Sequence, residues 1–470
     1  MSDDPNDLTS PIDEGITAED LGRTLFIGVG GVGMNGLTRL YATRGLDVTG
    51  SETKEWPNLP ELEDLGVTLH REHAKANLNG IDTVVRSTAI NDRHVEVVEA
   101  RERGIRVLHR SEALAAAMTG RRSIVVTGTH GKTTTTAIIT QMLEHAGLAP
   151  SYVNGGEIIG AHTGSHGDGA FFVAEADESD RSFLRYRPEI GVVTNIDVDH
   201  LNTYGDMDSL TEAFERFCRN TDKDGLLVLC ADNPGTLALA KMLRAEGRSV
   251  ATYGFGDGAD IQLGEVESSK DGVDYTVLAH NQLLGRFHLP MPGRHIALNS
   301  AAAIAVGLQI GLEPDAIAAG IAAFGGVKRR FEKRGEIDGY AVFDEYAYHP
   351  TAMTEAIKTL KEVAAPGNLV VVFLPYRVYR TVEMREDIAE ALALADKAVV
   401  MEIFGPGEEI PEGEGGQALA DAVALPDADK TFVPEWSDVP AAVKALAAPG
   451  DVVVTMGAPP ISLMPEDLLR

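Results

Sequence analysis

One short glycine-rich segment constrains the fold of this chain more than any other feature. It lies between an apolar run that predicts a strand, Ser123 to Val126, and an amphipathic stretch that predicts a helix, Thr135 to Ala146. The segment reads Thr127-Gly128-Thr129-His130-Gly131-Lys132-Thr133-Thr134. Glycines let backbone N–H groups close around phosphate oxygens, and the start of the following helix favours negative charge. The segment therefore predicts a phosphate-binding loop in an α/β domain.

Two side chains of this loop have the chemistry that a nucleoside triphosphate requires. Lys132 can reach the terminal phosphates, and the hydroxyl of Thr133 can bind magnesium. The spacing is unusual, because Gly128 precedes Gly131 by only three positions, whereas the general phosphate-loop pattern separates its two glycines by about five. The Gly-Lys-Thr-Thr run and its position between a strand and a helix still favour a triphosphate site over a turn without a ligand.

Metal-capable side chains follow two further predicted strands. The strand Phe171 to Ala174 leads into Glu175, and the strand Gly191 to Thr194 leads into a segment that ends at His200. In an open α/β sheet, ligands bind beyond the carboxyl ends of the strands. We therefore expect Glu175 and His200 to lie at the sheet edge that also carries the phosphate loop.

Predicted strands and helices alternate along the chain in three blocks. The first contains a βαβ unit from Leu25 to Val48, the second opens at Ser123, and the third begins after the basic cluster at Lys328. The length and these boundaries predict three α/β domains, at residues 23–118, 119–326 and 327–470. An acidic tail, residues 1–22, precedes them, and we expect it to be disordered.

A second glycine-rich turn follows the first predicted strand. Gly28, Gly30 and Gly33, with Glu52 about 20 residues further on, fit a dinucleotide-binding fingerprint. Taken alone, this pattern suggests an NAD-dependent dehydrogenase. The fingerprint is weak evidence by itself, and the phosphate loop at Gly128 is hard to explain in such an enzyme.

Charge and cysteine content exclude several partners. With 71 acidic and 41 basic residues, the formal net charge is −30, so the basic surface that nucleic acids and anionic membranes require is missing. The start of the chain has no apolar core of a signal peptide, and no stretch approaches the roughly 20 apolar residues that span a bilayer. The two cysteines, Cys218 and Cys230, support neither a disulfide framework nor a zinc site. We therefore expect a cytoplasmic protein.

Together these features resemble the Mur ligases, and among them the branch that joins L-alanine to UDP-N-acetylmuramate. The resemblance runs from about Thr24 to Met464. Besides the two glycine segments, it is carried by Val153-Asn154-Gly155-Gly156, Glu175 to Asp180, Thr194 to His200, Gly293-Arg294-His295, Ala297-Leu298-Asn299 and Arg329-Arg330-Phe331. It implies a Rossmann-like first domain for the UDP-sugar, a central phosphate-loop ATPase domain and a Rossmann-like third domain for the amino acid. It also implies ATP and Mg²⁺ as cofactors.

The resemblance further implies roles for individual residues. The catalytic residues would be Lys132, Glu175 and His200, and the magnesium ligands Thr133, Glu175 and His200. ATP would contact Gly128, Thr129, His130, Gly131, Lys132, Thr133, Thr134, His295, Asn299, Arg330 and Asp344. The UDP-sugar would contact Gly28, Gly30, Gly31, Gly33, Ser51 and Ser87. The acceptor amino acid would contact Tyr346, Tyr348, Tyr376, Arg377 and Arg380.

The sequence departs from the family pattern mainly in the third domain. Tyr348 and Tyr376 replace histidines, and Pro459 interrupts the usual Gly-Ala-Gly turn. In the first domain, residues 91–94 lack the family's Asn-Pro pair. These changes leave open a related enzyme that uses a different amino acid or acid substrate. A catalytically inactive binding protein is a further hypothesis, and the presence of Lys132, Glu175 and His200 argues against it. We expect a monomer or a homodimer.

Overall fold

The computed structural model describes residues 15–269 and 271–470, so residues 1–14 of the predicted acidic tail lie outside the described residues. The described chain divides into two compact units. Unit 1 comprises residues 15–265, Tyr275–Phe287 and Leu298–Gly325. Unit 2 comprises Val266–Asp274 apart from residue 270, His288–Ala297 and Gly326–Arg470.

A parallel α/β sheet forms the first part of unit 1. Its strands are β1 (Thr24–Ile27), β2 (Val48–Ser51), β3 (Thr68–His70), β4 (Thr83–Arg86) and β5 (Arg106–His109). Its helices are α1 (Val32–Thr43), α2 (Leu59–Asp64), α3 (Val95–Glu102) and α4 (Arg110–Met118). The strand order is β3-β2-β1-β4-β5, and all pairs are parallel. Strand β1 is buried along its whole length, as expected when helices cover both faces of a parallel sheet.

The central sheet follows. Its strands are β6 (Arg122–Thr127), β7 (Ser151–Val153), β8 (Gly164–Ser165), β9 (Phe171–Glu175), β10 (Ile190–Val193), β11 (Leu226–Cys230), β12 (Val250–Gly254), β13 (Ile261–Ser269), β14 (Gly272–Ala279) and β15 (Gln282–Leu289). The helices are α5 (Lys132–His145), α6 (Leu201–Tyr204), α7 (Met207–Asn220), α8 (Pro234–Ala245), α9 (Arg294–Gln309) and α10 (Pro314–Ala322). The strand order is β15-β14-β13-β12-β11-β10-β6-β9-β7-β8. From β12 to β7 the neighbours are parallel, so their carboxyl ends meet at one edge.

Helix α1 packs against the edge of the central sheet, and the close contact requires a glycine. A Cβ on Gly36 would lie 2.7 Å from the carbonyl oxygen of Thr163. The hydroxyl of Thr163 donates to the side chain of Asn35 (3.1 Å), and the N–H of His166 donates to the hydroxyl of Thr43 (2.9 Å). These contacts fix the glycine turn that precedes α1 beside the central sheet.

Unit 2 contains a six-stranded sheet with its own core. Its strands are β16 (Glu332–Ile337), β17 (Tyr340–Glu345), β18 (Leu369–Leu374), β19 (Lys397–Met401), β20 (Lys430–Val433) and β21 (Val452–Gly457). Its helices are α11 (Pro350–Ala364), α12 (Val378–Glu383), α13 (Arg385–Leu392), α14 (Gly416–Ala422), α15 (Val439–Leu446) and α16 (Met464–Leu468). The strand order is β16-β17-β21-β18-β19-β20, and only β16 is antiparallel to its neighbour. Among residues 15–269 and 271–470, none of the helices combines the length and apolarity that crossing a bilayer requires.

Candidate active site

The phosphate loop joins β6 to α5 and has a backbone that favours glycine. Gly128 (φ 132°) and Gly131 (φ 80°) both have positive φ. A Cβ on Gly128 would lie 2.9 Å from the backbone nitrogen of Thr194, so this position has no room for a side chain. The N–H of His130 donates to the side-chain oxygen of Asn195 (2.8 Å), and the Thr194 hydroxyl donates to the His130 carbonyl (2.6 Å). The loop is thus held to the end of β10.

Lys132 is the first residue of α5, and its side chain folds back into the loop. Its ammonium donates to the carbonyl oxygens of Gly128 (2.5 Å) and Thr129 (3.1 Å) and to the carboxylate of Glu178 (2.9 Å). Burial alone would lower the pKa of Lys132, but the nearby carboxylates, Glu178 foremost, raise it above its usual value. Burial raises the pKa of Glu178, and Lys132 partly offsets this. A charged ammonium therefore lies where phosphate oxygens would bind.

Two of the three predicted magnesium ligands are in direct contact. The hydroxyl of Thr133 donates to one carboxylate oxygen of Glu175 (3.0 Å), and the other oxygen accepts the N–H of Gly155 (2.7 Å). A hydroxyl and a carboxylate are the oxygen ligands that Mg²⁺ prefers. The residues at the end of β9 therefore fit a magnesium ion bound next to a nucleotide.

The third predicted ligand, His200, lies beside a different carboxylate. Its Nε2 is 3.6 Å from Glu178 and 3.5 Å from Asp199. The backbone of His200 has φ 53°, a conformation that few residues other than glycine adopt. Since Glu178 also binds Lys132, one buried carboxylate connects the phosphate loop to the segment after β10.

A cavity of about 620 Å³ extends from the first glycine turn to the end of β9. Gly28, Gly31, Gly33 and Ser87 of the predicted UDP-sugar set line it, and so does Glu175. The other lining residues are Val32, Met34, Leu37, Glu52, Thr53, Lys54, Trp56, His73, Ala89, Ile90, Arg110, Leu114, Val153, Asn154, Gly155, Asp177 and Tyr186. The predicted sugar-nucleotide turn and the predicted magnesium ligand thus belong to one cavity.

The carboxylate of Glu52, which the dinucleotide fingerprint would assign to a ribose, binds backbone N–H groups of three other residues. It accepts the N–H groups of Gly30 (3.2 Å), Thr53 (2.9 Å) and Lys54 (3.0 Å). The side chain is nearly buried, with 8% of its surface exposed. The hydroxyl of Ser51 points to the buried carboxylate of Glu96 (2.8 Å). Both acidic side chains beside this turn, Glu52 and Glu96, thus have hydrogen-bond partners within the protein.

Asn299, one of the predicted ATP residues, lies against the phosphate loop within unit 1. A Cβ on Gly131 would lie 2.7 Å from the side-chain oxygen of Asn299. Helix α9, which carries this residue, thus reaches the start of α5. The structure brings this predicted ATP residue together with the loop.

The other three predicted ATP residues, His295, Arg330 and Asp344, lie in unit 2. Asp344 is fully buried and accepts hydrogen bonds from Arg329 (3.2 Å) and from the hydroxyl of Thr455 (2.9 Å). Burial lowers the pKa of His295 to about 4, which keeps its imidazole neutral at physiological pH. Asp344 therefore already has partners within its own unit.

The predicted acceptor residues form an aromatic and basic row in unit 2. The ring of Tyr348 lies 5.6 Å from that of Tyr346 and 6.1 Å from that of Tyr376, both at steep angles. The guanidinium of Arg380 lies over Tyr348 (4.8 Å), and that of Arg377 lies near Tyr376 (5.5 Å). The two tyrosines at family histidine positions thus contact each other directly.

The sequence assigns no role to two residues that the structure places at the site, Glu178 and Arg110. Glu178 binds Lys132, and Arg110, at the start of α4, binds Asp177 (3.2 Å) and Asp180 (3.5 Å) at the cavity wall. The position of Glu178, three residues after Glu175 at the same strand end, is a signal that could have found it. No local pattern marks Arg110, because its partners lie about 70 positions away in the sequence.

Family models match most of the chain. The model described as "Mur ligase family, catalytic domain" matches residues 24–122, "Mur ligase middle domain" matches 126–307, and "Mur ligase, glutamate ligase domain" matches 329–459. The phosphate loop, Glu175 and Asn299 lie within the middle-domain match.

Full-length relatives and solved structures agree with these matches. The UDP-N-acetylmuramate--L-alanine ligase of Salinispora arenicola is 57% identical, with 97% of this chain and 89% of the relative covered. The ligase of the same name from Acidothermus cellulolyticus is 43% identical, with 95% and 94% covered. The structure of UDP-N-acetylmuramate-alanine ligase MurC from Thermotoga maritima has a TM-score of 0.81 at 27% identity, with 95% and 98% covered. The predicted three-domain α/β architecture is thereby confirmed, and the chain belongs to the Mur ligase family.

Proposed function

We propose that this Mur ligase uses ATP to join L-alanine to the carboxylate of UDP-N-acetylmuramate. The family consists of ATP-dependent ligases that form an amide bond. Relatives up to 57% identical over nearly the whole chain carry both substrates in their names. The reaction would make a precursor of the peptidoglycan cell wall.

One observation carries the reaction class: a single cavity links the glycine turn at Gly28 to Glu175. Through Glu175, the cavity adjoins Thr133 of the phosphate loop. A sugar nucleotide with its diphosphate at the turn could therefore extend its carboxylate toward the γ-phosphate of ATP. This is the arrangement that acyl-phosphate chemistry requires.

The chemistry solves the low reactivity of a carboxylate. A carboxylate oxygen of the substrate attacks the γ-phosphorus of ATP, and the bond to ADP breaks, which gives an acyl phosphate. The neutral amine of L-alanine then attacks the acyl carbon, phosphate leaves, and the amine loses a proton. Because both steps are chiefly positioning and charge stabilisation, the protein contributes oriented cations and backbone N–H groups.

Lys132, Thr133 and Glu175 are the residues that we assign to the phosphoryl transfer. The Lys132 ammonium would leave the loop carbonyl oxygens and bind the transferring phosphate. Thr133 and Glu175 would hold Mg²⁺, with His200 as a further ligand, and the bound ion would neutralise charge on the phosphates. The N–H of Gly155 orients the Glu175 carboxylate (2.7 Å).

We assign the three substrates to three domains, at residues 23–118, 119–326 and 327–470. The sugar-nucleotide site would consist of Gly28, Gly30, Gly31, Gly33, Ser51 and Ser87. The hydroxyl of Ser51 donates a hydrogen bond to Glu96, so its contribution would depend on that carboxylate. His295, Asn299, Arg330 and Asp344 would complete the ATP site. Tyr346, Tyr348, Tyr376, Arg377 and Arg380 would bind L-alanine.

We also propose that the enzyme acts in the cytoplasm, as a monomer or a homodimer, without a nucleic-acid or membrane partner. Both cysteines, Cys218 and Cys230, are buried and unpaired, which is typical of a reducing compartment. The net charge of −30 disfavours binding to polyanions.

Steady-state phosphate release tests the proposal. The purified chain is given ATP, Mg²⁺, UDP-N-acetylmuramate and one amino acid at a time from a panel of L-alanine, glycine, L-serine and D-alanine. We expect the highest kcat/KM with L-alanine, and no release when the sugar nucleotide is omitted. The variant Lys132→Met should lose turnover, whereas Lys358→Met, which changes an exposed lysine paired with Glu355, should not.

The same panel tests the second hypothesis, a different acceptor. Tyr348 and Tyr376 contact each other at positions where the family has histidines, and this observation favours a changed pocket. A tenfold preference for another amino acid would replace L-alanine in the proposal. Release that does not depend on UDP-N-acetylmuramate would refute the acid substrate instead.

A further inference from the structure

A cluster of metal-capable side chains lies in the first sheet of unit 1, apart from the phosphate loop. Within residues 15–269 and 271–470, His73, His94 and Glu96 are the group of three whose ligand atoms converge, all within 4.8 Å of one another. The Nδ1 atoms of His73 and His94 lie 3.1 Å and 3.9 Å from the same carboxylate oxygen of Glu96. Two imidazole nitrogens therefore lie within 4 Å of one carboxylate oxygen.

These separations match those of ligands around one transition-metal ion. Zinc binds imidazole nitrogen and carboxylate oxygen at about 2.0–2.2 Å in a tetrahedral arrangement, so neighbouring ligand atoms lie roughly 3.3 Å apart. The two nitrogen-to-oxygen distances bracket this value. His73 is already within a few tenths of an ångström of this value, and the imidazole of His94 would move closer to Glu96 by roughly half an ångström.

The carboxylate of Glu96 is already oriented for such a role. Its side chain is completely buried. One oxygen accepts the side-chain amide of Asn77 (2.7 Å), and the oxygen that faces the histidines accepts the hydroxyl of Ser51 (2.8 Å). Hydrogen bonds of this kind fix metal ligands in known sites and tune their basicity.

His94 is not explained by a local structural role. It is the N-cap residue of α3, yet its side chain makes no capping hydrogen bond. Its Nδ1 is buried and has no hydrogen-bond partner among the described residues. The ring instead stacks edge-on against His73, with 4.5 Å between the centroids. An imidazole nitrogen that is buried, unpaired and close to a carboxylate is available as a metal ligand.

We propose that His73, His94 and Glu96 bind one divalent transition-metal ion, with Zn²⁺ as the best chemical match. Two imidazoles and one carboxylate suit this borderline ion better than Mg²⁺, which prefers oxygen ligands. Three protein ligands leave one coordination position open. His73 also lines the cavity that contains Gly28 and Ser87, so the cluster adjoins that cavity.

Titration of the nucleotide-free full chain with Co²⁺ tests the site. Cobalt replaces zinc in such sites and gives strong visible absorption when four- or five-coordinate. We expect one equivalent to bind with this signature, and Zn²⁺ to displace it. His94→Asn should weaken Co²⁺ binding at least tenfold, and Asn is itself a good N-cap residue, so α3 should be kept.

Two further variants sharpen the test. Glu96→Gln should also weaken binding at least tenfold. His288→Asn changes an exposed histidine 3.3 Å from Asp274 and should leave the affinity unchanged. Absence of visible absorption, or equal Co²⁺ affinity of His94→Asn and the unmodified protein, would overturn the proposal. His73 would then serve only as a hydrogen-bond partner of Glu96. Since no ATP or substrate is present, this result is independent of the ligase activity.

Discussion

The ion pair between Lys132 and Glu178 makes a prediction about stability as well as catalysis. The two side chains are 14% and 1% exposed, and their charged atoms lie 2.8 Å apart. Replacing Lys132 with methionine leaves a buried carboxylate without its cation, which costs about 3–5 kcal/mol. Replacing Glu178 with glutamine is milder, about 1.5–3 kcal/mol, because Lys132 keeps its bonds to two loop carbonyls.

The cost of Lys132→Met should depend on pH in a defined direction. Burial raises the pKa of Glu178 above its ordinary value of 4.5, and Asp177 adds to this, whereas Lys132 opposes it. Without Lys132, the folded state therefore holds a proton on Glu178 that the unfolded state releases. Stability of the variant is then fully present below about pH 4.5 and is lost as pH rises.

Urea unfolding of the nucleotide-free protein at pH 5.5 and pH 8 measures this effect. We expect the deficit of Lys132→Met to be larger at pH 8, and the double variant with Glu178→Gln to recover about 2 kcal/mol relative to the sum of the single changes. Lys358→Met, at a pair with both side chains more than half exposed, should cost less than about 1 kcal/mol. Equal deficits at both pH values, or strict additivity in the double variant, would refute the buried ion pair.

Three further predictions concern the phosphate loop, the magnesium ion and the loss of stability at acid pH. Gly128→Ala should abolish binding of a non-hydrolysable ATP analogue in calorimetry, whereas Gly147→Ala, at a positive φ with open space around it, should bind normally. Glu175→Gln should raise the Mg²⁺ concentration for half-maximal phosphate release at least tenfold, and an unchanged requirement would contradict its assignment. Burial lowers the pKa of His109 to about 4 from 6.5, so the folded state resists a proton that the unfolded state binds, and stability should fall from pH 6.5 toward pH 4 by up to about 1.4 kcal/mol per pH unit. His109→Asn should flatten this slope in denaturation curves while keeping the cap that His109 provides to Ser111, and an unchanged slope would show that other groups cause it.

Much of the parallel core could be predicted because buried strands are short, unbroken apolar runs. The predicted strands at Ser123 to Val126 and Phe171 to Ala174 differ from β6 and β9 by one residue at the ends. The predicted helix at Thr135 starts three residues too late, since α5 begins at Lys132. The reason is Gly131, which lies in the left-handed conformation as the N-cap, so the loop passes directly into the helix.

Strands at the sheet edges could not be predicted in this way. Strands β13 to β15 mix buried residues with half-buried or exposed ones, so they have no continuous apolar run. Strands β7 and β8 contain only three and two residues. Their place in the sheet depends on pairing with distant segments, which a local pattern does not encode.

In the candidate site, too, the local features could be predicted and the contacts between distant residues could not. The phosphate loop could be predicted because its chemistry is local, within eight consecutive residues. The pairing of Lys132 with Glu178 joins residues 46 positions apart, and that of Ser51 with Glu96 joins residues 45 apart. The glycine fingerprint at Gly28 predicts a dehydrogenase only when it is taken alone, and membership of the Mur ligase family overturns that hypothesis.

Glu175 connects the phosphate loop to the glycine segment that contains Gly155. Its carboxylate accepts hydrogen bonds from Thr133 after β6 and from Gly155 after β7. A Cβ on Gly155 would lie only 2.5 Å from this carboxylate, so a side chain there would displace the group that we assign to magnesium. Gly155 also lines the cavity. The missing side chain of Gly155 therefore leaves room for the Glu175 carboxylate at the wall of the cavity that we assign to the sugar nucleotide.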